Sequence, residues 1–389
     1  MNEFMNFKLN YFIFYGLLFS AFVMLSIAPS SNGLALLSIP FLLLFIFSKV
    51  FFLDFKLNLK VLFFSIGIQI LLILNLLLTY FYWRSDFSQI GNFILATLGV
   101  LTYFSLSHLM SDFSDKKILK AINFFIIFNL FFFLVQVISY YLISLDLNFG
   151  LILGGAGNRA LNFTEIYRPT GIYDEPAIYG LFMSVLIVSR LFFEKKVDIL
   201  VILGIVSLFF TFSFVSILLA FGIIFILLAD RLGYGVSFVI LILMIGILFL
   251  AYESSWMPDF LISRMSSLLS GEDGSTSHKF QSFDLWLNNE NVRNFGFGFI
   301  GLREWTPDYF DAIYDMTLYG TIITQFGLVL APFFILWIIS FLLFNGCSVF
   351  SLLLCFLIFI KLSAVHFLVF WVFLAFYQRA FYKLKSKGI

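Results

Sequence analysis

Closely spaced polar and charged residues stand out in the stretch Tyr167–Pro176, which reads Tyr-Arg-Pro-Thr-Gly-Ile-Tyr-Asp-Glu-Pro and follows Arg159. Arginine suits the binding of anions, and a carboxylate suits proton transfer. Pro176 is typical of the first turn of a helix, and an acid at Glu175 is favoured there by the helix dipole. Capping explains one acid, but it does not explain two arginines, a glycine and the adjacent acids Asp174 and Glu175. The pattern therefore favours a functional site over a simple cap.

A second set of polar residues lies further along the chain. Apolar residues at helical spacing surround Arg264 in Trp256–Leu269, which is typical of a helix lying in the membrane interface. Ser275–Ser277 offers an N-cap for a helix that carries His278, and Arg293 then leads into a glycine-rich turn. His278 shares its loop with several basic residues, so it is a candidate base or phosphate ligand. A surface histidine is the alternative interpretation.

The sequence contains none of the common motifs for metal-dependent or nucleotide-dependent chemistry. It contains no Walker A, HExxH, CxxC or DxD pattern. Gly296–Gly301 fits GxGxxG, but that pattern binds dinucleotides only between a strand and a helix of a parallel βαβ unit, which the sequence does not predict. Cys347 and Cys355 lie in apolar runs and are expected to be buried small side chains. We therefore expect no cofactor and no metal.

The composition places these polar groups in a membrane protein. The 389 residues are 62% hydrophobic and only 12% charged, against about 25% charged in soluble domains, and the mean hydropathy is +1.04. The net charge of +1 gives no basic field for nucleic acid, so no nucleic-acid partner is expected. The prediction is an all-α polytopic integral membrane protein, built as a single transmembrane domain over 1–389.

About twelve transmembrane helices are expected, because a crossing of the ~30 Å hydrocarbon layer needs about 20 residues. The run Asp198–Asp230 is too long for one crossing, at roughly 50 Å as a single helix. Thr211-Phe212-Ser213 is its polar interruption, and we predict two helices joined there. The predicted spans are 11–29, 34–53, 60–82, 91–110, 120–144, 176–193, 198–211, 213–230, 235–252, 316–343, 347–360 and 363–379.

Lysine and arginine accumulate on the cytoplasmic side of membrane proteins and so predict the orientation. With the N-terminus inside, 15 of the 23 fall on the inner face and 8 on the outer face. Both termini are then cytoplasmic, and the first apolar segment is interpreted as an uncleaved helix. Two large periplasmic loops, about 146–175 and 253–315, contain short amphipathic helices. Loops of this length are usually functional or disordered, so function is expected on the periplasmic face.

The order of these parts resembles the O-antigen polymerases of the Wzy type and, more distantly, the O-antigen ligases. The resemblance runs from about Arg159 onward. It consists of some twelve spans, an outer loop ending in Arg-Pro-x-Gly-x-x-x-Glu-Pro, a helix pair broken at Thr-x-Ser, a larger outer loop with an arginine-bearing helix, Asn-Phe-Gly-Phe-Gly, and a span containing Leu318–Gly320. The family often has arginines where this chain has Phe214 and the pair His278 and Lys279.

The resemblance implies a lipid-linked sugar polymerase in the bacterial inner membrane. A glycan on undecaprenyl diphosphate would be transferred to a fresh undecaprenyl-diphosphate-linked repeat unit at the periplasmic face, without a metal or a nucleotide. Arg168 and Arg264 are the expected diphosphate ligands, supported by Arg159 and Arg293. Glu175 is the first candidate for the general base and His278 the second. The expected partners are the undecaprenyl-diphosphate-linked oligosaccharide, membrane lipid and a chain-length regulator protein.

Three other classes stay open. An O-antigen ligase would use the same donor but transfer the glycan to lipid A core. A flippase for lipid-linked oligosaccharides would carry charges along a central cavity, whereas here the charges concentrate in the two outer loops. Few ionisable groups lie inside the predicted spans, His366 among them, which weakens a proton-coupled transporter. The last class is an unrelated membrane protein with a binding or structural role.

Overall fold

The computed structural model describes residues 2–23, 36–51, 58–83, 90–152, 167–253, 266, 274–299, 316–346, 348–362 and 364–386. These residues form helices and no strand. Runs of Leu, Phe and Ile supply the apolar surface of each long helix. The helices are α1 (Asn2–Phe22), α2 (Ser38–Phe51), α3 (Leu59–Trp83), α4 (Ile90–Ser111), α5 (Asp115–Ile143), α6 (Phe149–Ile152), α7 (Pro176–Phe193), α8 (Ile199–Phe210), α9 (Phe214–Leu232), α10 (Tyr234–Glu253), α11 (Gly274–Asn288), α12 (Glu290–Phe295), α13 (Leu318–Phe344), α14 (Val349–Ile358) and α15 (Leu368–Ser386).

A helix lies at each of the twelve positions where a span was predicted. Six of them, α3, α4, α5, α7, α9 and α13, are long and apolar enough to cross a membrane. The helices α2, α8, α14 and α15 are apolar over a shorter length. The prediction of an all-helical protein is thus confirmed for the described residues, and six of its helices could span a membrane. The first helix differs from its predicted bounds, because it begins at Asn2 and so includes Lys8.

The predicted break at Thr211-Phe212-Ser213 is confirmed. Helix α8 ends at Phe210, and α9 begins at Phe214. The Thr211 hydroxyl donates to the carbonyl oxygen of Leu208 at 2.7 Å and accepts the N–H of Ser213 at 3.2 Å. Phe212 adopts φ +49°, which reverses the chain. The side-chain oxygen of Thr211 thus bonds backbone groups that the helix end leaves open.

The core of the bundle is built around α15, which packs against α4, α7 and α1. Trp371 is fully buried, and Gly99 of α4 leaves room for its ring, since a Cβ at Gly99 would lie 2.0 Å from the ring. The Tyr103 hydroxyl donates to Gln378 Oε1 at 2.8 Å and joins the two helices deeper in the core. Cys355 of α14 is buried and forms no disulfide with a described residue, whereas Cys347 lies outside the described residues.

Ion pairs cluster at the helix ends that the charge rule assigns to the cytoplasm. Arg379 bonds Asp115 at 3.1 Å and also donates to the carbonyl oxygen of Phe113. These contacts tie the end of α15 to the start of α5. Three further pairs between described residues join neighbouring ends: Lys49 with Asp112, Arg190 with Asp198, and Lys195 with Asp230.

The predicted span 316–343 contains a break that the sequence analysis did not anticipate. Gly327 has φ +65° and ψ 175°, so α13 consists of two helical pieces. The N-terminal piece starts at Leu318, whose N–H donates to the carbonyl oxygen of Phe359 just beyond α14, at 2.8 Å. Breaks of this kind inside membrane helices need partners for the released backbone groups. The partners are described with the site below.

Candidate functional site

The segment 167–176 is buried where it leads into α7. Tyr167, Thr170 and Tyr173 are at most 1% exposed, and Arg168 is 7% exposed. Gly171 turns the chain with φ +62°, and the N–H of Tyr173 donates to the carbonyl oxygen of Thr170 at 3.2 Å. This polar loop segment is therefore buried within the helix bundle and does not lie on its surface.

Gln136 of α5 holds this segment in place. Its Oε1 accepts the backbone N–H groups of Thr170 at 2.9 Å and Gly171 at 2.7 Å. Its Nε2 donates to the carbonyl oxygen of Leu147 at 2.9 Å. One fully buried side chain thus joins both ends of the first outer loop, because Leu147 follows α5 and Thr170 precedes α7.

Two tyrosines anchor the segment on either side of Arg168. The Tyr167 hydroxyl donates to Asp146 at 2.9 Å, and its ring stacks on Tyr140 with a centroid distance of 3.9 Å. Burial, together with the hydrogen bond to Asp146, raises the pKa of the Tyr167 phenol, so it stays a donor at ordinary pH. The Tyr173 hydroxyl donates to the carbonyl oxygen of Phe22 at 2.6 Å, at the end of α1.

Glu175 occupies the N-cap position of α7, with extended backbone angles of φ −129° and ψ 143°. Its carboxylate nevertheless makes no capping hydrogen bond to the helix, and the side chain is half-buried. Pro176 fills the first helical position, where no N–H is needed. Glu175 thus lies at the predicted N-terminal position without a capping hydrogen bond, and its role as a general base stays a prediction.

The start of α7 meets the start of α9. The Ser216 hydroxyl lies 3.4 Å from the carbonyl oxygen of Pro176. Gly180 permits this approach, since a Cβ there would lie 1.9 Å from the Ser216 oxygen. Two helix N-termini, each the positive end of a helix dipole, therefore lie beside the buried arginine segment. Phe214, where the resembled family often has arginine, is 48% exposed at the first position of α9.

The glycine-rich turn after α12 docks on the break in α13. The N–H of Phe297 donates to the carbonyl oxygen of Thr324, and that of Gly298 to the carbonyl oxygen of Gln325, both at 2.8 Å. Asn75 of α3 adds its side-chain amide to Gln325 at 3.1 Å. The turn thus supplies the donors that the break at Gly327 removes. Among the described residues, the elements on either side of this turn are helices and not the strand and helix of a βαβ unit.

The predicted site residues fall into three groups. Arg168 and Glu175 lie in the one buried segment described above. Arg293 lies on α12, and its Nη1 donates to the carbonyl oxygen of Leu287 at 3.2 Å, so it binds the C-terminal end of α11. Arg159 and Arg264 lie outside the described residues. The backbone of His278 belongs to α11, but its side chain also lies outside the described part of the chain.

The sequence analysis missed two supporting residues: Gln136 holds segment 167–176, and Asn75 binds Gln325 at the break in α13. Gln136 and Asn75 are fully buried polar residues inside predicted spans. Polar side chains in a lipid-facing sequence are costly unless they find partners, which is the signal that could have identified both. Gln325 is likewise a polar residue inside a predicted span, and it lies two positions before the break at Gly327.

The arrangement combines a buried cation, a half-buried carboxylate and two helix N-termini at one end of the bundle. Such a site can hold an anionic group next to a proton acceptor. No known protein family model matches this sequence, and no curated protein matches it either.

Proposed function

We propose that the chain is an O-antigen polymerase, a metal-independent glycosyltransferase that uses a polyprenyl-diphosphate sugar donor. It would transfer a glycan from undecaprenyl diphosphate to the non-reducing end of an undecaprenyl-diphosphate-linked repeat unit. The observation that carries the proposal is the burial of Arg168 in the segment that ends with Glu175 at the start of α7. This pair supplies the two groups that such a transfer needs, a cation for the diphosphate and a base for the acceptor.

The proposed step forms one bond and breaks one. The acceptor hydroxyl oxygen bonds to the anomeric carbon of the donor, and the bond from that carbon to the diphosphate oxygen breaks. The electron pair of the broken bond stays on the diphosphate, whose charge Arg168 stabilises. The proton of the acceptor hydroxyl goes to Glu175. Because Arg168 is buried, its attraction for the diphosphate is stronger than it would be in water.

The proposal gives the other predicted residues supporting roles. Arg159 and Arg264 would add positive charge to the diphosphate site from the two outer loops, and Arg293 from α12. Arg293 is half-buried and would have to exchange its contact with Leu287 for the substrate. His278 on α11 is the second candidate base.

The proposed orientation has twelve crossings of the bacterial inner membrane, with both termini cytoplasmic and the site on the periplasmic face. Two observations support it. The ion pairs between described residues cluster at the opposite ends of the helices from segment 167–176. The N-termini of α7 and α9 meet through Pro176 and Ser216, so two positive dipole ends lie beside segment 167–176, where the diphosphate is proposed to bind.

The test is the surface-polysaccharide pattern of a strain that lacks this gene, with and without a plasmid-borne copy. The proposal expects lipid A core carrying a single repeat unit, and a full ladder once the plasmid is present. Loss of all attached antigen, with long lipid-linked chains still accumulating, would identify a ligase instead. Single lipid-linked units trapped on the cytoplasmic side would identify a flippase. An unchanged ladder would exclude all three.

A further inference from the structure

A groove of about 340 Å³ runs between α8 and α9, a volume in the range of small-ligand sites. It opens away from the bundle, since Ile202 and Val206 on its wall are 45% and 40% exposed. Each wall is an apolar stripe with helical spacing, about 10 Å long on α8 and about 6 Å long on α9 by the rise of an α-helix. The stripes are Ile202, Ile205, Val206 and Phe209 on α8, and Ile224, Leu227 and Leu228 on α9.

Arg231 lines the same groove, one helical turn beyond Leu228 and next to the end of α9. The carboxylates near it are already engaged, since Asp230 pairs with Lys195 at 3.1 Å and Asp198 pairs with Arg190. Within the described ranges, no hydrogen bond or ion pair involves the exposed guanidinium of Arg231. The groove is therefore apolar along its length and cationic at one end.

We propose that this groove binds an anionic phospholipid of the membrane leaflet on the Arg231 side, which the charge rule assigns to the cytoplasm. One acyl chain lies between α8 and α9, and the lipid phosphate binds Arg231. The apolar walls match a hydrocarbon chain, and the guanidinium matches a phosphate, which it can bind through two parallel hydrogen bonds. Lys196 is exposed and lies two residues before Asp198, the N-cap of α8, so it adds positive charge at the same end of the groove.

An anionic phospholipid fits this groove better than the alternatives. A water-soluble anion would find one cation but no polar wall along the groove. A zwitterionic lipid carries its own cation beside the phosphate and so gains less from an arginine. This inference stands independently of the reaction proposed for segment 167–176, because Arg231 lies near the end of α9, whereas Ser216 near the start of α9 meets Pro176.

The test uses the purified full chain, stripped of lipid in detergent and titrated with phosphatidylglycerol or phosphatidylethanolamine of identical acyl chains, with native mass spectrometry as the readout. We expect the first phosphatidylglycerol to bind about fivefold more tightly than phosphatidylethanolamine, as one basic residue at a lipid headgroup contributes. Arg231→Gln should remove that preference. Lys116→Gln, which removes an exposed cation at the start of α5, should keep it.

A second pair of variants tests the acyl-chain position. Val206→Trp fills the groove and should weaken binding of both lipids, whereas Leu203→Trp changes a side chain of similar exposure, 43%, outside the groove and should not. Equal affinity of the native chain for both lipids would overturn the proposal. An equal loss of the preference for phosphatidylglycerol in Arg231→Gln and Lys116→Gln would also overturn the proposal. So would a tighter binding of undecaprenyl phosphate than of phosphatidylglycerol that depends on Arg231.

Discussion

The side-chain oxygen of Gln136 accepts the backbone N–H of Gly171 at 2.7 Å across 35 residues of chain. The same oxygen accepts the N–H of Thr170, and the amide nitrogen donates to Leu147. Because Gln136 is fully buried in α5, these bonds are shielded from water. The conformation of the arginine segment is therefore set by a helix that carries none of the predicted site residues.

Replacing Gln136 by Met keeps the size of the side chain and removes all three bonds. Two buried N–H groups lose their acceptor, so we expect a loss of about 2–4 kcal/mol in stability. We also expect a much shorter polysaccharide ladder. Thermal unfolding of the purified protein and the ladder on a gel measure the two effects. Gln69→Met on α3 is the matched control, because it removes a single hydrogen bond to Thr97 on α4. It should lower the stability by about 1 kcal/mol. An unchanged ladder in Gln136→Met would show that the segment needs no such support.

Arg168→Ala should abolish chain growth while the protein stays in the membrane, because the buried cation proposed for the diphosphate is gone. Arg168→Lys should restore only part of the activity, since an ammonium cannot bind a phosphate through two parallel hydrogen bonds. The ladder and a membrane immunoblot are measured together. Lys196→Ala removes an exposed cation near α8 and should leave the ladder intact. A normal ladder in Arg168→Ala would remove this residue from the site.

Glu175→Gln tests the general base without disturbing the helix. Glutamine keeps the size of the side chain but removes the negative charge at the N-terminus of α7, so the free energy of unfolding should fall by at most about 1 kcal/mol. The rate of chain growth should fall by about 10²–10⁴, the usual contribution of a general base. Glu194→Gln changes an exposed acid at the other end of α7 and should alter neither quantity. A rate within a few-fold of the native one would transfer the role of base to another group, with His278 next to be tested.

Gly298→Ala and Gly327→Ala should both destabilise the protein. Each glycine has a positive φ, and an added Cβ would lie 2.4 Å from Thr79 or from the carbonyl oxygen of Asn294, respectively. We expect a loss of about 1–3 kcal/mol in each variant, read from thermal unfolding. Gly235→Ala in α10 is the control, because no atom lies within 4 Å of its Cβ position. Native-like melting of both test variants would mean that the turn on α13 can shift at little cost.

The contrast between two helix breaks shows what the sequence could predict. The break at Phe212 was predictable because a polar pair interrupts an apolar run that is too long for one crossing. The break at Gly327 was not, because the span 316–343 exceeds one crossing by only a few residues, a length that helix tilt accommodates. Its cause is the turn at Phe297 and Gly298, which binds the open carbonyl groups from 27 residues earlier in the chain. Periodicity and length report on a segment itself and not on its distant partners.

The same distinction applies to the site. Residue types and spacing identified the segment with Arg168 and Glu175, because charged residues beside apolar spans are conspicuous. They could not identify the support from Gln136, which depends on contacts between separate helices. Arg293 was predicted as a diphosphate ligand, whereas the structure pairs it with the carbonyl oxygen of Leu287. A short-range contact of this kind depends on the angle between α11 and α12, which the sequence pattern does not specify.

The docking of the glycine turn on α13 has a consequence for how the chain enters the membrane. The carbonyl groups of Thr324 and Gln325 receive their donors from Phe297 and Gly298, which leave the ribosome first. In the proposed orientation, the turn has to be translocated before the broken helix is inserted, or these carbonyl groups would enter lipid without partners. The proposed orientation thus links insertion of the C-terminal helices to export of the loop that contains the turn. We expect newly synthesised chains of variants in that turn to be degraded by quality-control proteases.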